Sequence, residues 1–233
     1  MPKIVAIVQA RMGSTRLPGK PLAEVFERTL LDLMLERVER ARLLDEIVLA
    51  TTTLRRDDEL ARVARRRGLA VVRGSETDVL SRFVSAAAAT SADVVVRLTA
   101  DCPLLDPAVI DDVVSLSRTL GRHADLVTNA PPSGRTYPDG MDVEVFSVDT
   151  LERVNELATD ADDREHVTRR LHGVPFTCEV VDLNRFVGDV RITVDHAGDL
   201  ERVREIFEDL YPRDPAFGLD DVLLWLDRHS RLC

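Results

Sequence analysis

What most constrains the fold of this chain is an alternation of period that repeats through its first half. Short apolar runs rich in β-branched residues, near 3–9, 46–52, 69–73, 93–99 and 125–129, are separated by stretches of helical spacing near 29–42, 57–67, 77–90 and 107–120. A helix between two strands lets them lie parallel in one sheet, and strands apolar on both sides need cover on both faces. The spacing therefore predicts an α/β fold with a mostly parallel central sheet flanked by helices. Two helix starts are legible in detail: Thr77-Asp78, and Asp106-Pro107, a cap followed by proline in the first turn.

Sheets of this kind gather ligands at the carboxyl ends of their strands, so the turn after the first strand carries weight. The stretch Val8–Leu22, VQARMGSTRLPGKPL, places Arg11, Arg16 and Lys20 within ten residues, interleaved with Gly13, Ser14 and Gly19. No acidic residue precedes Glu24. With Lys3, the first 23 residues hold four cations in a protein of formal charge −10, so the remainder sums to −14. That reversal of sign suits a loop built to hold a polyanion such as a phosphate chain, with glycine letting main-chain N–H groups approach the oxygens. Lysine is rare here, two against 29 arginines, so Lys20 stands out; a compact ammonium reaches between phosphate oxygens where a planar guanidinium fits poorly. The loop is not a P-loop, because its glycines are one residue too far apart and Pro21 stands where a magnesium-binding Ser or Thr would. The competing reading is an ordinary strand-to-loop turn with solvated cations.

Further acids end later strands. Arg97-Leu98-Thr99-Ala100-Asp101 leads a buried strand out to a carboxylate before Pro103, where Asp101 either caps the turn or binds a magnesium ion that bridges phosphate oxygens. From about 130 the texture turns loop-rich, and Asp142–Phe146 then alternates as a strand. Its outward positions are Asp142 and Glu144, with Asp139 just before, so these acids either face solvent from an edge strand or line a rim. Asp160–His166 opens a helix with acids in its first turn, and His166 is either a surface histidine or a substrate contact. Arg191–Val194 reads as a short strand ending at Asp195, and Asp199 as the N-cap of the helix that follows. The last helix, near 219–229, reads as packing or a subunit contact.

A chain of 233 residues with 45% apolar and 31% charged residues has the size and make-up of one folded α/β domain. Its first apolar run is too short for a signal peptide, and no stretch is long and apolar enough to cross a bilayer, so a cytoplasmic protein without membrane contact is expected. Cys102, Cys178 and Cys233 are odd in number and lack any C-x-x-C pattern, which predicts free thiols and no zinc site. Net acidity argues against nucleic acid as a partner, though not against a nucleotide, which needs only a local basic patch.

The stretch Val8–Leu22 resembles the signature A-R-x-x-S-x-R-L-P-G-K-x-L of the cytidylyltransferases that make CMP-activated acidic sugars, and among them the spore coat polysaccharide biosynthesis protein F type. Further matches fall in the family's order at GSETDVLSRF (74–83), VRLTADCPLLDP (96–107), YPDGMDVEVF (137–146), REHVT (164–168) and TVDHAGDLERV (193–203). The resemblance implies a single Rossmann-like nucleotidyltransferase (GT-A-like) domain over 1–233. Its nucleotide-binding part would span about 1–130, a smaller β-rich acceptor and dimerisation part about 131–190, and C-terminal helices 199–229.

It further implies transfer of CMP from CTP to an acidic acceptor by a homodimer, with Mg²⁺ as cofactor and pyrophosphate leaving. The acceptor stays open between a sugar acid, a sugar phosphate and a phosphonate. Arg11, Arg16, Lys20 and Asp101 would be catalytic. Gln9, Ala10, Met12, Gly13, Ser14 and Thr99 would complete the nucleotide site, with Asp78 and Arg82 near the cytosine. Asp101 and Asp195 would hold the metal, and Tyr137, Asp139, Asp142, Glu144 and His166 would meet the acceptor. The segment Ala23–Leu30, AEVFERTL, departs from the family pattern by lacking its glycine-containing turn. The competing functions are a glycosyltransferase using a nucleotide sugar and a non-catalytic nucleotide-binding subunit.

Overall fold

The first strand, β1 (Ile4–Gln9), is the centre from which the fold is laid out. Ile4, Val5, Ala6, Ile7 and Val8 are each no more than 1% exposed, which a strand achieves only with a layer packed on both faces. The computed structural model describes residues 1–230. Cys102 and Cys178 are free thiols, as predicted; Cys233 lies outside the described residues.

After β1 come the two-residue strands β2 (Glu24–Val25) and β3 (Arg28–Thr29), then α1 (Leu30–Val38), β4 (Glu46–Thr52), α2 (Asp58–Arg66), β5 (Ala70–Gly74), α3 (Val79–Thr90), β6 (Val94–Thr99) and α4 (Pro107–Leu120). The remainder is β7 (Leu126–Thr128), β8 (Glu144–Ser147), α5 (Val148–Leu157), α6 (Ala161–Glu165), β9 (Cys178–Val180), α7 (Ala197–Leu210) and α8 (Leu219–Ser230). The 7-stranded sheet has the order β5-β4-β1-β6-β8-β7-β9. β1 pairs in parallel with β4 and β6, β4 with β5, and β7 with β9. Only β8 opposes its neighbours, β6 and β7. The mostly parallel sheet flanked by helices is therefore present.

Its two faces carry separate cores. Ile4, Ala6 and Val8 pack with apolar residues of α1, α4 and α7, while Val5 and Ile7 pack with those of α3 and α5. Each large aliphatic side chain buried this way contributes about 1.5–3 kcal/mol. The carboxyl ends of β1, β4, β5 and β6 consequently lie along one edge, and the turns after them meet there.

The predicted helix starts hold: Asp78 accepts from Ser81 N–H at 2.9 Å and Asp106 from Ala108 N–H at 2.8 Å. Elsewhere the structure corrects the reading. The helix predicted to reach 42 stops at Val38, because the N–H groups of Arg42 and Leu43 are taken by Asp111 at 2.9 and 3.0 Å. Residues 191–194 are not a strand. Arg191 forms an isolated bridge to Asp139, Ile192 and Thr193 donate to Asp139 O at 2.7 and 3.1 Å, and Val194 donates to Asp101 O at 2.8 Å. Their partners are turns rather than a ladder, and one of those turns runs through Gly140 at φ 114°, where a Cβ would stand 2.7 Å from Thr193 N.

Asp199 is not the N-cap of α7. His196 holds that position, and Asp199, three residues on, accepts from the N–H groups of Asp195 and His196 at 2.9 and 2.8 Å. The segments unread in the sequence are α5, the three-residue β9, and the β2–β3 hairpin, whose turn residues Phe26 and Glu27 have φ 52° and 59° without a glycine.

Candidate active site

β1 delivers Gln9 to the carboxyl edge, and the chain leaves the sheet after Ala10, whose N–H reaches Ala50 O at 3.2 Å. Beyond it, Met12 N–H donates to Asp57 at 2.8 Å and Gly19 N–H returns to Met12 O at 3.2 Å. Gly19 has φ 77°, a left-handed conformation that suits glycine, and it turns the chain so that Lys20-Pro21-Leu22 closes a short 3₁₀ helix. Asp57, fully buried, also accepts from the Thr52 hydroxyl and so ties the loop to the end of β4. Among the described residues, the N–H groups of Gly13, Ser14, Thr15 and Arg16 enter none of the loop's hydrogen bonds. They form an open arc of donors of the kind that holds anions.

That arc walls a cleft of about 350 Å³, lined also by Arg97, Thr99 and Asp101 at the end of β6, Val79 and Arg82 of α3, Glu165 and His166 at the end of α6, and Asp195. Lys20 Nζ donates to Asp101 Oδ2 at 3.1 Å, Asp195 Oδ1 at 3.1 Å and Val194 O at 2.8 Å. Arg16 meets Asp195 at 2.7 Å and Arg191 holds its other oxygen. Burial pushes the Asp195 carboxyl up, but Lys20, Arg16 and Arg191 outweigh it and hold the group below the usual carboxylate range.

Arg11 spans the cleft to Glu165 at 2.8 Å and to Glu76 O at 3.2 Å. Arg82, 2% exposed, donates to the carbonyls of Ser75 and Glu76, and its Nε has no partner among the described residues. Burial, and then the neighbouring Arg11, lower the pKa of its guanidinium.

The metal expected here fits the residues present. Asp101 and Asp195 converge on one ammonium, and among the described residues no group of three or more His, Cys, Asp or Glu side chains is placed to hold a metal by itself. Magnesium needs no such group, since it commonly binds through one or two carboxylates and completes its shell with substrate phosphates and water.

Of the expected nucleotide residues, Gln9, Ala10, Arg11, Gly13, Ser14, Arg16, Lys20, Arg82, Thr99 and Asp101 line the cleft. Met12 and Asp78 do not. Met12 packs against the core below the loop, and the Asp78 carboxylate is spent on the α3 cap and on Arg164 at 2.7 Å. Of the expected acceptor residues only His166 lines the cleft. Tyr137 is 4% exposed in the core. Asp139 and Asp142 both sit on Arg135, at 3.3 and 2.7 Å, and Asp139 also lies 3.4 Å from Arg191. Glu144 is corrected most sharply: it does not face outward but is 6% exposed and paired with Arg97, because β8 lies inside the sheet and not at its edge.

Sequence reasoning missed Asp57, Glu165 and Arg97. Asp57 reads as ordinary helix-start chemistry, and Glu165 lies in the REHVT motif, where only His166 was singled out. The signal for Arg97 was an arginine in an otherwise apolar strand two residues before Thr99.

A cationic loop after the first strand of a parallel sheet, facing two aspartates across a cleft, is the equipment of a nucleotidyltransferase. A family model described as cytidylyltransferase matches residues 5–174, and the chain belongs to that family. It is 32% identical over 238 residues to the spore coat polysaccharide biosynthesis protein SpsF of Bacillus subtilis, covering 98% of this chain and 96% of that protein. A solved cytidylyltransferase from Leptospira borgpetersenii superposes with a TM-score of 0.93 at 30% identity, over 99% of this chain and 96% of that one. The CMP:2-keto-3-deoxy-manno-octonic acid synthetase solved with CTP shares the fold, with a TM-score of 0.68 at 18% identity over 88% of this chain and 98% of that one. Among the described residues no helix is long and apolar enough to cross a membrane.

Proposed function

We propose that this chain transfers CMP from CTP to a small acidic acceptor, a sugar acid, a sugar phosphate or a phosphonate, with Mg²⁺ as cofactor and release of pyrophosphate. It acts as one nucleotidyltransferase domain, in a cytoplasmic homodimer. The observation that carries the reading is Lys20, whose ammonium joins Asp101 and Asp195 beside four unengaged N–H groups of the loop. The relatives' names support it: one acts in polysaccharide biosynthesis, and a neighbour of the same fold was solved with CTP.

A nucleoside triphosphate carries about four negative charges, so the site must neutralise both the phosphorus under attack and the departing pyrophosphate. Arg11, Arg16, Lys20 and the loop N–H groups supply this. Asp101 and Asp195 would hold Mg²⁺, which supplies Lewis-acid charge at the α-phosphate when bound. Arg82 holds the Ser75 and Glu76 carbonyls in place on the side where the base would lie. An acceptor oxygen displaces pyrophosphate in line, so no enzyme nucleophile is required. Cys102, next to Asp101, is unsuited to that role in any case, because burial pushes its thiol well above the usual value.

The test is mass spectrometry and pyrophosphate release after incubation with CTP, Mg²⁺ and a panel of acidic sugars, with UDP-sugars in parallel. CMP adducts that disappear in Asp101→Asn/Asp195→Asn are expected. Turnover of UDP-sugars alone, or unchanged Mg²⁺ dependence in the double variant, would contradict the reading.

A further inference from the structure

We propose that Arg97 takes the acidic group of the acceptor, an assignment that rests on the cytidylyltransferase reading above. Arg97 lines the cleft from β6, two residues before Thr99 on the same face of the strand and four before Asp101. Behind it stands Glu144, its direct partner in the β6–β8 register, 6% exposed and paired with the guanidinium. His172 Nε2 approaches the other Glu144 oxygen at 3.6 Å. The guanidinium cannot swing away without removing the charge that offsets the buried Glu144 carboxylate.

Two polar atoms at this place have no partner among the described residues: Arg97 Nε, and Gln9 Oε1 on β1, whose residue pairs with Thr99. Buried polar groups are nearly always satisfied, so a donor and an acceptor without partners, on two residues that both line the cleft, ask for a ligand. The other cations of the cleft are committed. Arg11, Arg16 and Lys20 belong to the phosphate loop, and Arg82 holds the Ser75 and Glu76 carbonyls. Arg97 lies across β1 from those carbonyls, on the side toward β8.

An acidic acceptor must meet a positive charge. The acids expected to receive it carry the wrong sign, and Asp139, Asp142 and Glu144 lie outside the cleft. The planar N–H groups of an arginine match a carboxylate or phosphate, and the Gln9 carbonyl accepts from a hydroxyl beside that group. The ligand chemistry is thus a hydroxylated acid.

The experiment is thermal shift on wild type, Arg97→Lys, Arg97→Met and the double variant Arg97→Met/Glu144→Leu, which avoids stranding the glutamate. The probes are a non-hydrolysable α,β-methylene CTP analogue with Mg²⁺, followed by 3-deoxy-manno-octulosonate, a hexuronate, a hexose 1-phosphate and a neutral hexose. At least one acid should stabilise the wild type, and the neutral hexose should not. Both Met variants should bind that acid roughly 10- to 100-fold more weakly while the analogue's midpoint stays within about twofold, with Lys between. Acid binding that survives both Met variants, joint loss of acid and analogue binding, or a wild type that no acid stabilises overturns the assignment. A wild type that ignores the analogue but binds an acid through Arg97 refutes the nucleotide reading and with it the acceptor role, leaving Arg97 as an acid-binding residue only.

Discussion

Replacing Lys20 by Met removes one ammonium from between two carboxylates while keeping the length and packing of the side chain. Its contacts with Asp101 and Asp195, both 3.1 Å, are charge-assisted. Such bonds are worth about 1.5–3 kcal/mol each, discounted toward about 1 where water reaches the pair, and Asp101 is 31% exposed. About 2–3 kcal/mol of attraction is therefore lost, and the two carboxylates are left facing each other, with Arg16 and Arg191 beside Asp195 but not beside Asp101. A divalent cation relieves that repulsion. Without nucleotide, Mg²⁺ or Mn²⁺ should bind the variant about tenfold more tightly, the equivalent of about 1.4 kcal/mol.

Turnover should move the other way. A fixed charge aimed at the developing negative charge of a transition state is worth about 10²–10³ in rate, so pyrophosphate release should fall by that factor. Calorimetric metal titration and a coupled pyrophosphate assay on the same preparation read both effects. The signature is the opposition: tighter metal, slower chemistry. Turnover within about threefold of wild type, or metal binding that weakens together with the rate, would refute the reasoning.

Asp57→Ala should strand Met12 N–H and the Thr52 hydroxyl, costing about 2–4 kcal/mol in urea unfolding and weakening CTP binding as well; a stable variant with normal CTP affinity would remove Asp57 as the loop's anchor. Burial, and then Asp139 and Glu144, raise the Asp142 carboxyl to about 6 against the pull of Arg135. Between its ordinary value and about 6 the folded state holds more protons than the unfolded one, so this group's contribution to stability falls as pH rises through that window. Asp142→Asn should accordingly raise the melting temperature at about pH 8 and leave it unchanged near pH 4, by a few degrees at most because the side chain is 34% exposed; equal shifts at both pH values would contradict the sign. Glu27→Gly should relieve a positive φ of 59° and stabilise the hairpin by about 1 kcal/mol, a melting shift of about 2–4 °C, and a lower melting point would show that the Glu27 side chain matters more than its backbone.

The sheet was legible because its signal is local. Each strand of the parallel half is a short run whose apolar residues need no knowledge of their partners, and the caps at Asp78 and Asp106 close within three residues. The cationic loop was legible for the same reason, since Arg11, Arg16 and Lys20 lie within one turn of chain. The segment Arg191–Val194 was misread because its extended backbone looks like a strand from within, and only the turns it meets decide otherwise.

What the tertiary structure alone decided is who faces whom. Glu144 alternates in sequence like a solvent-facing acid, yet β8 is inserted between β6 and β7, so that face is covered and the acid needs Arg97, 47 residues away. Lys20 meets Asp101 and Asp195 across 81 and 175 residues of chain. Propensity and periodicity act over a few residues, whereas a site is made by long-range packing that brings strand ends to one edge. The sequence by itself determined the strands of the sheet's parallel half and the charge of the loop; the acids that oppose the loop, and the loss of the rim acids to ion pairs, came only with the fold.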